Sequence, residues 1–396
     1  MSNTLREISE QLKASPKKVQ LIYAFNGTGK TRLSREFKTL LAEEIIEDSD
    51  NDTNGSELSQ KNILYYNAFT EDLFYWDNDL TDDEDRKLKI HPNAFTDWVL
   101  IEQGQSATII ENFRRLTNSN IEPLFNANSS EVSFIIRGDE TGSTIKISKG
   151  EESNLIWSIF YSLLELIIEE LSSPEDERSA DFNNLKYVFI DDPVSSLDDN
   201  HLIELAVELA NLMKKSTYIE GNGLKFIITT HNPLFYNVLH NELNSDLRNP
   251  NQNAVPTWLY KRKQTGKYRL EKQRNGTFEL ADSNDHPFSY HLFLLSEIIQ
   301  AISLDQIQKY HFSFLRNILE KTATFLGHQR WEQLLEQTAE GTPDPFANRL
   351  MNLSSHSAHA GEEISVVENS DKEKLEELVT YLIETYGFKR QEAQND

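Results

Sequence analysis

Eight residues near the start of the chain have the types and spacing of a phosphate-binding loop. They run from Ala24 to Thr31 with the sequence AFNGTGKT, in which alanine replaces the first glycine of the P-loop pattern. Backbone N–H groups from Asn26 to Thr31 can surround phosphate oxygens at the start of a helix. Lys30 would reach the β- and γ-phosphates, and the Thr31 hydroxyl would bind Mg²⁺. The loop therefore predicts binding of a nucleoside triphosphate with magnesium.

The residues on either side of this loop fit a strand and a helix. Val19–Phe25 is apolar and β-prone, and Leu33–Leu41 has helical apolar spacing. A short GxGKT sequence also occurs in structural turns, but a strand before it and a helix after it favour phosphate binding. The predicted nucleotide-binding residues are Asn26, Gly27, Thr28, Gly29, Lys30, Thr31 and Arg32.

Two acids and a histidine follow apolar segments further along the chain. Asp191 and Asp192 come directly after a short apolar run, and His231 comes directly after a second run that ends at Thr230. Asp191 would hold the Mg²⁺ shell, and Asp192 would orient the attacking water. Paired acids also cap ordinary turns, and a lone histidine is more often a packed residue. Their shared position at strand ends, with a helical segment between the two strands, favours nucleotide hydrolysis.

Composition excludes several other kinds of protein. The 396 residues include 39 basic and 64 acidic side chains, for a net charge of −25, and no cysteine. A disulfide scaffold, a thiolate metal site and a cysteine nucleophile are therefore excluded. No secretory signal or membrane-spanning stretch is visible, so we expect a cytoplasmic protein with no membrane partner. The acidity argues against non-specific binding to polyanions, so a nucleic-acid partner would need a local basic patch.

These motifs together resemble those of ABC-type ATPases. The resemblance places the Walker B strand at 188–192, a D-loop with Ser196 and Asp198, and a switch histidine at His231. A signature loop then corresponds to the four residues before a helical segment: Ser148, Lys149, Gly150 and Glu151. Lys149, Glu151 and Asp192 differ from the usual residues, and no Q-loop glutamine is evident. The resemblance implies a homodimer or higher oligomer in which each signature loop contacts the partner's nucleotide.

The whole chain resembles the PrrC-type anticodon nucleases. The segments that carry this resemblance are 18–37, 61–80, 148–154, 186–206, 225–239, 288–294, 310–327 and 354–357. It implies an α/β ABC-type P-loop NTPase domain followed by a mainly α-helical HEPN-like nuclease domain. We place these domains at 1–275 and 276–396. Two acidic, polar stretches near 43–61 and 77–86 predict exposed loops within the first domain.

The resemblance also implies a function and its partners. Members of this family cut lysine tRNA in the anticodon loop as a defence against phage. A type I restriction–modification complex keeps the nuclease silent, and a phage-derived peptide is the expected activator. The family's cofactors are Mg²⁺ with GTP or ATP, and dTTP is the expected regulatory nucleotide.

Arg316 and Glu320 are the candidate catalytic pair in the second domain. They lie four residues apart in a helical segment, which places them on one face, as in an ordinary surface ion pair. The resemblance adds His356 and gives all three a catalytic role without a metal. Glu320 or His356 would take the ribose 2′-OH proton, leaving a 2′,3′-cyclic phosphate and a 5′-OH. Arg349 lies seven residues before His356 and is the alternative catalytic arginine.

Two features bear on substrate recognition. Residues 261–274 contain seven basic residues and one acidic residue, a local charge of +6. This stretch fits a solvent-exposed hairpin and a patch for the tRNA backbone equally well. The resemblance further places anticodon recognition near Asp282 and Ser283.

Two other functions are also compatible with the sequence. One is an ABC-type DNA-binding or repair ATPase whose helical domain is only an interaction module. Another is a nucleotide-switched scaffold that has no nuclease activity.

Overall fold

The chain divides into two compact units, Met1–Phe288 and Ser289–Asp396. The computed structural model describes residues 3–48, 62–66, 74–78, 86–91, 98–117, 119–139, 143–174, 178, 182, 184–193, 199–219, 221–249, 258–273, 275–283, 290–336, 344 and 367–388. The boundary lies later than the predicted one after residue 275, because a strand at Phe278–Asp282 still belongs to the large sheet of the first unit.

The strands are numbered in chain order. They are β1 (Val19–Tyr23), β2 (Ile63–Tyr66), β3 (Phe74–Asn78), β4 (Arg86–Ile90), β5 (Ile121–Phe125), β6 (Glu131–Ile136), β7 (Tyr187–Asp191), β8 (Tyr218–Ile219), β9 (Asn222–Gly223), β10 (Lys225–Thr230), β11 (Leu247–Arg248), β12 (Trp258–Tyr260), β13 (Thr265–Lys272) and β14 (Phe278–Asp282).

The helices are numbered in the same way. Those of the first unit are α1 (Leu5–Ala14), α2 (Lys30–Asp48), α3 (Ser106–Thr117), α4 (Lys149–Ser172), α5 (Asp199–Lys215) and α6 (Pro233–Glu242). Those of the second unit are α7 (Tyr290–Ser303), α8 (Lys309–Leu326) and α9 (Asn369–Tyr386). Short π- or 3₁₀-helical turns lie at Trp98–Glu102, Arg262–Gln264 and Trp331–Leu334.

The first unit is built on a six-stranded sheet with the order β14-β13-β1-β10-β7-β2. All neighbours are parallel except β14, which runs antiparallel to β13. Every residue of β1 and β7 is buried, as expected for a parallel sheet with both faces covered. The carboxyl ends of β1, β7 and β10 therefore meet at one edge, which is where the predicted nucleotide motifs lie. A separate antiparallel sheet has the order β3-β4-β6-β5.

These elements confirm the α/β P-loop NTPase unit followed by a mainly helical unit. The predicted strand, loop and helix around the P-loop are β1 and α2, and the predicted βαβ unit is β7, α5 and β10. The two predicted acidic loops were partly wrong. Residues 43–48 continue α2, where the Glu43 carboxylate accepts a hydrogen bond of 2.6 Å from Arg6. Residues 77–78 end β3, and residue 86 begins β4.

The second unit has its own apolar core. Helix α8 contributes buried residues at helical spacing, among them Leu315 and Leu319, which pack with Ile298 of α7 and Leu375 of α9. The three helices confirm the prediction that this part of the chain is mainly α-helical. In the portion that the structure describes, no helix combines the length and apolar character needed to cross a membrane.

Candidate functional site

The P-loop lies between β1 and α2 and depends on two glycines. Gly27 has φ +80° and Gly29 has φ +108°, in the left-handed region that favours glycine. A Cβ atom at Gly29 would lie 3.4 Å from Cε1 of Phe278 and 3.7 Å from Cδ1 of Leu5. These are ordinary van der Waals distances, so the backbone conformation, and not crowding by β14 and α1, favours glycine at this position.

Lys30 is buried with its ammonium group directed into the loop. Its Nζ donates to the backbone oxygens of Ala24 (3.1 Å) and Phe25 (3.3 Å) and to Oδ1 of Asn26 (3.2 Å). Its Nζ also lies 3.6 Å from Oδ2 of Asp192. Burial lowers the pKa of Lys30, and the nearby carboxylates only partly offset this. The lysine is thus held by loop oxygens at the start of α2, where a phosphate would bind.

Asp191 ends β7 and is 2% exposed. Its Oδ1 accepts a 2.6 Å hydrogen bond from the Thr229 hydroxyl, and the Thr31 hydroxyl also bonds to the carboxylate. Burial raises the pKa of Asp191, while these two hydrogen bonds act in the opposite direction. A divalent cation beside the carboxylate would favour its ionised form.

The residues around Asp191 fit the predicted magnesium ion. Thr31 and Asp191 supply the oxygen ligands that Mg²⁺ prefers, and they are already in contact. In nucleotide sites this ion takes one or two protein ligands, and phosphate oxygens and water complete its shell. The described residues include no group of three or more His, Cys, Asp or Glu side chains that could hold a metal.

Asp192 and His231 form a carboxylate–imidazole pair beside this position. Asp192 has φ +56°, a left-handed conformation that aspartate tolerates better than most residues. Its Oδ2 contacts Nδ1 of His231, and its Oδ1 accepts 3.3 Å hydrogen bonds from the His231 backbone N–H and the Thr230 hydroxyl. Burial alone would raise the pKa of Asp192, but the bond to His231 and the charges of His231 and Lys30 outweigh it and lower the pKa. The Asp192 carboxylate is therefore ionised at neutral pH.

Several residues of this site were not predicted from the sequence. Thr229 and Thr230 each bond to one of the two acids, and the only sequence signal was a pair of threonines at the end of an apolar strand. The hydroxyl of Ser34 lies 2.7 Å from that of Tyr65, which joins α2 to β2. Neither Ser34 nor Tyr65 belongs to a recognisable motif.

The signature residues have local bonds at the start of α4. Ser148 is the N-cap, and its hydroxyl accepts from the Glu151 N–H (3.3 Å), while the Ser148 N–H donates to Glu151 Oε2 (2.7 Å). Lys149 pairs with Glu152 at 2.8 Å. This capping box gives Ser148 and Glu151 a structural role in addition to the predicted one. The D-loop residues Ser196 and Asp198 lie outside the described residues.

In the second unit, Arg316 and Glu320 form the expected pair on α8. Nε of Arg316 lies 2.8 Å from Oε1 of Glu320, and the guanidinium carbon lies 5.7 Å from the centre of the Trp331 ring. The Arg316 side chain is 27% exposed and that of Glu320 is 51% exposed. Both are accessible to a large substrate. His356 and Arg349 lie outside the described residues.

The basic stretch at 261–274 does not form one charged face. Lys267 is buried in β13, and its Nζ donates to the His240 carbonyl (3.0 Å) and to Oδ1 of Asn244 (2.7 Å). Only one strand, β13, lies in this stretch, and it forms a hairpin with β14, which lies beyond residue 274. Asp282 ends β14, and the Ser283 N–H donates to the Lys267 carbonyl at 2.8 Å.

Comparison with known proteins decides the family. A curated "Anticodon nuclease" of Escherichia coli is 44% identical over 422 aligned residues, which cover 100% of each chain. The chain belongs to the anticodon nuclease family. Residues 99–384 also match the family described as "AAA domain", a match that begins after the P-loop and continues into the helical unit.

Two solved structures of SMC heads are only weakly similar to this chain. The SMC head bound to the C-winged helix domain of ScpA has a TM-score of 0.33 and 10% identity, covering 68% of this chain and 90% of the other. The SMC head domain from Thermotoga maritima has a TM-score of 0.31 and 13% identity, covering 68% and 91%. These scores are too low to support a conclusion, and the fold assignment depends on the strand order and the P-loop instead.

Proposed function

We propose that this chain is a nucleotide-gated tRNA anticodon endoribonuclease. One observation carries the proposal: a chain that aligns over its full length with an anticodon nuclease combines a P-loop site in one unit with the accessible Arg316–Glu320 pair in another. Nucleotide turnover in the first unit would control when the second unit cuts RNA. The accessible position of the pair also fits a substrate as large as tRNA.

In the NTPase reaction, the first unit would bind GTP or ATP through the P-loop amides. Lys30 would contact the β- and γ-phosphates, and Thr31 and Asp191 would hold Mg²⁺, which offsets the phosphate charge. The ionised Asp192 carboxylate, fixed by His231, would orient the water that attacks the γ-phosphate. Binding of dTTP at this site would be regulatory.

In the nuclease reaction, the ribose 2′-oxygen would attack the adjacent phosphorus while the bond to the 5′-oxygen breaks. Glu320 or His356 would take the 2′-OH proton, and the other residue would protonate the leaving oxygen. Arg316 would stabilise the charged pentacoordinate phosphorane, with Arg349 as the alternative arginine. The products are a 2′,3′-cyclic phosphate and a 5′-OH, and no metal takes part.

The biological setting of the proposal follows from the family resemblance. The substrate is the anticodon loop of lysine tRNA, and cleavage in the cytoplasm serves defence against phage. A type I restriction–modification complex would silence the nuclease until a phage-derived peptide releases it.

The proposal is tested by incubating the purified chain with nucleotide and bulk tRNA and mapping the cut ends. We expect discrete tRNA halves with 2′,3′-cyclic phosphate and 5′-OH ends. Cutting should persist when activated protein is diluted into EDTA. Intact tRNA together with DNA-stimulated hydrolysis would instead support a DNA-binding ATPase. Toxicity that is unchanged by His356→Ala would support a scaffold.

We further propose a head-to-tail homodimer, in which the Ser148 loop completes the partner's nucleotide site. Mixing Lys30→Ala with Ser148→Ala should then restore hydrolysis, because one composite site of the mixed dimer is intact. Ser148 also caps α4, so Thr4→Ala, which removes the matching capping box of α1, controls for the lost cap. Failure of the mixture to regain activity would leave the dimer unsupported.

A further inference from the structure

The edge of the large sheet opposite the nucleotide site is lined with basic residues. Because β13, β1, β10 and β7 are parallel neighbours, their amino-terminal ends meet at this edge. Each of these strands begins with a basic residue or has one within the two residues before it. We call this set the basic edge: Lys17, Lys186, Lys225, Lys261, Arg262 and Lys263.

Hydrogen bonds at the amino-terminal ends of these strands bring members of the basic edge close together. Nζ of Lys17 donates to the Lys263 carbonyl at 2.8 Å, and Nζ of Lys225 donates to the Ser15 carbonyl at 3.0 Å. The Lys225 N–H donates to the Lys186 carbonyl at 2.9 Å. Neighbouring strands are about 4.8 Å apart, so a row across four strands is about 15 Å long. That length can follow several consecutive phosphates of a nucleic-acid backbone.

The charges of the basic edge are accessible and are not neutralised by neighbouring carboxylates. Lys186, Lys261, Arg262 and Lys263 are exposed, while Lys17 and Lys225 are half-buried. Among the described residues, none of the six forms an ion pair with a carboxylate, although the exposed Asp246 accepts a hydrogen bond from the Arg262 backbone N–H. A chain with a net charge of −25 thus has a local surface of the opposite sign.

Other lysines near this edge have a different role. Lys18 and Lys214 are buried; Nζ of Lys18 donates to the backbone oxygens of Lys214 and Ser216, and Nζ of Lys214 lies 3.8 Å from Glu242. These side chains support the edge from inside and cannot reach a ligand. Lys18 and Lys214 are therefore not part of the basic edge.

An exposed aromatic residue lies close in sequence to the basic edge. Trp258 is 38% exposed, and the guanidinium carbon of Arg248 lies 5.1 Å from the centre of its ring. Trp258 is in β12, three residues before Lys261. Arginine and exposed aromatic side chains beside lysines are typical of surfaces that bind RNA, because bases stack on the flat groups while ammonium groups contact phosphates.

Strand β14 runs from the P-loop end of the sheet toward the basic edge and ends part-way along β13. Strand β14 runs antiparallel to β13, and Ser283 bonds to Lys267, two residues from the start of β13. Asp282 pairs with Tyr268, which is level with Ile22 of β1, so the segment with the expected role in anticodon recognition ends part-way along the sheet, between the P-loop and the basic edge.

We propose that the basic edge binds the phosphate backbone of the tRNA substrate. This inference rests on the proposed function, since it concerns the same RNA. The NTPase unit would then also bind RNA, at a surface outside the site of cleavage. The contacts would be electrostatic and largely independent of sequence.

The test compares two variants of the full chain, each of which loses one arginine and one lysine. The test variant is Arg262→Gln with Lys263→Gln; the hydrogen bonds that these residues make with Asp246 and Lys17 use backbone groups. The control variant is Arg137→Gln with Lys38→Gln, two exposed residues outside the basic edge. Cleavage of tRNA is measured over a series of salt concentrations, and NTP hydrolysis reports on folding.

We expect the KM for tRNA to rise about tenfold in the test variant, with kcat unchanged. The slope of log KM against log salt should fall by about 1.5, since each lost phosphate contact contributes about 0.7–0.9. The control variant should match the wild type. The inference would be overturned if the test and control variants had the same KM for tRNA and the same salt dependence. It would also be overturned if the test variant lost binding to duplex DNA while its KM for tRNA stayed unchanged. If the wild-type chain cuts no tRNA, the proposed function itself fails.

Discussion

The nucleotide site and the Arg316–Glu320 pair differ in how their charged groups are held. In the nucleotide site, Lys30, Asp191 and Asp192 come from distant parts of the chain, are largely buried, and bond to one another or to threonines. On α8, Arg316 and Glu320 come from one helix, are accessible, and would meet in any helix with this spacing.

Because of this difference, the contacts in the nucleotide site are stronger evidence of function than the contact between Arg316 and Glu320. Burying an unpaired charge destabilises a folded protein. The largely buried and paired arrangement of Lys30, Asp191 and Asp192 therefore indicates a functional site. An exposed i,i+4 ion pair stabilises a helix by only about 0.3–0.5 kcal/mol. The catalytic role of Arg316 and Glu320 is a proposal, and their contact has the geometry of an ordinary ion pair.

The largest predicted effect separates those two explanations for the α8 pair. Arg316→Ala should reduce tRNA cleavage about 10²–10⁴-fold, the usual contribution of one transition-state group, while NTP hydrolysis stays near wild type. Adding Glu320→Ala should make little further difference, because members of one catalytic group act as a unit. Cleavage rates are measured with saturating tRNA.

The matched control for this variant is Arg330→Ala. Arg330 is also paired with a carboxylate of the same unit, at 2.9 Å from Glu332, and is 72% exposed. The Arg330→Ala substitution should leave the rate of tRNA cleavage unchanged. If Arg316→Ala and Arg330→Ala both retain cutting, Arg316 is a structural residue, and Arg349 becomes the catalytic candidate.

A smaller effect is expected for the second acid of the nucleotide site. Asp192→Asn should lower NTP hydrolysis about 10²-fold, because the amide cannot act as the ionised partner of His231. Nucleotide affinity should change little, since Lys30, Thr31 and Asp191 remain. Steady-state hydrolysis and a nucleotide-binding titration measure the two quantities, with Glu204→Gln, an exposed acid of α5, as control. Loss of binding equal to the loss of hydrolysis would contradict the assigned role.

The smallest effect concerns a buried lysine outside both sites. Burial lowers the pKa of Lys18 to about 7, whereas in the unfolded chain it has the ordinary value near 10.5. Between these values the unfolded chain holds more protons, so the free energy of unfolding rises with pH. The limit for one such group is about 1.4 kcal/mol per pH unit. Urea unfolding at pH 7 and pH 9 should therefore show a smaller rise in Lys18→Met than in wild type.

The control for this experiment is Lys215→Met, which replaces an exposed lysine near the same edge of the sheet. Its pH dependence should follow the wild type. Identical pH dependence in wild type and Lys18→Met would show that Lys18 keeps an ordinary pKa in the folded chain.

The sequence was informative where a motif dictates long-range contacts. The P-loop, the paired acids and His231 were each predicted to follow a strand, and the sheet brings the ends of those strands, β1, β7 and β10, together. Phe278 shows the limit: its ring packs against Gly29, but a phenylalanine in an alternating strand carries no signal for that contact. Phe278 belongs to β14, which pairs with β13 and so extends the first unit beyond the predicted boundary at residue 275. The local sequence does not show this pairing.

Charge patterns were the least reliable guide. The stretch at 261–274 has seven basic residues in sequence, but β13 turns Lys267 into the interior. Conversely, Lys17, Lys186 and Lys225 are far apart in sequence, and only the parallel sheet brings them to one edge. The acidic stretch from residue 43 predicts a loop, but α2 extends to Asp48.

The central claim is that nucleotide turnover in one unit controls RNA cutting by the other. The most direct measurement is a parallel assay of NTP hydrolysis and tRNA cleavage on Lys30→Ala and Arg316→Ala. Lys30→Ala should abolish both activities, because it removes the cation that faces the β- and γ-phosphates. Arg316→Ala should abolish cleavage alone. Wild-type tRNA cutting by a Lys30→Ala protein that no longer hydrolyses nucleotide would contradict the account.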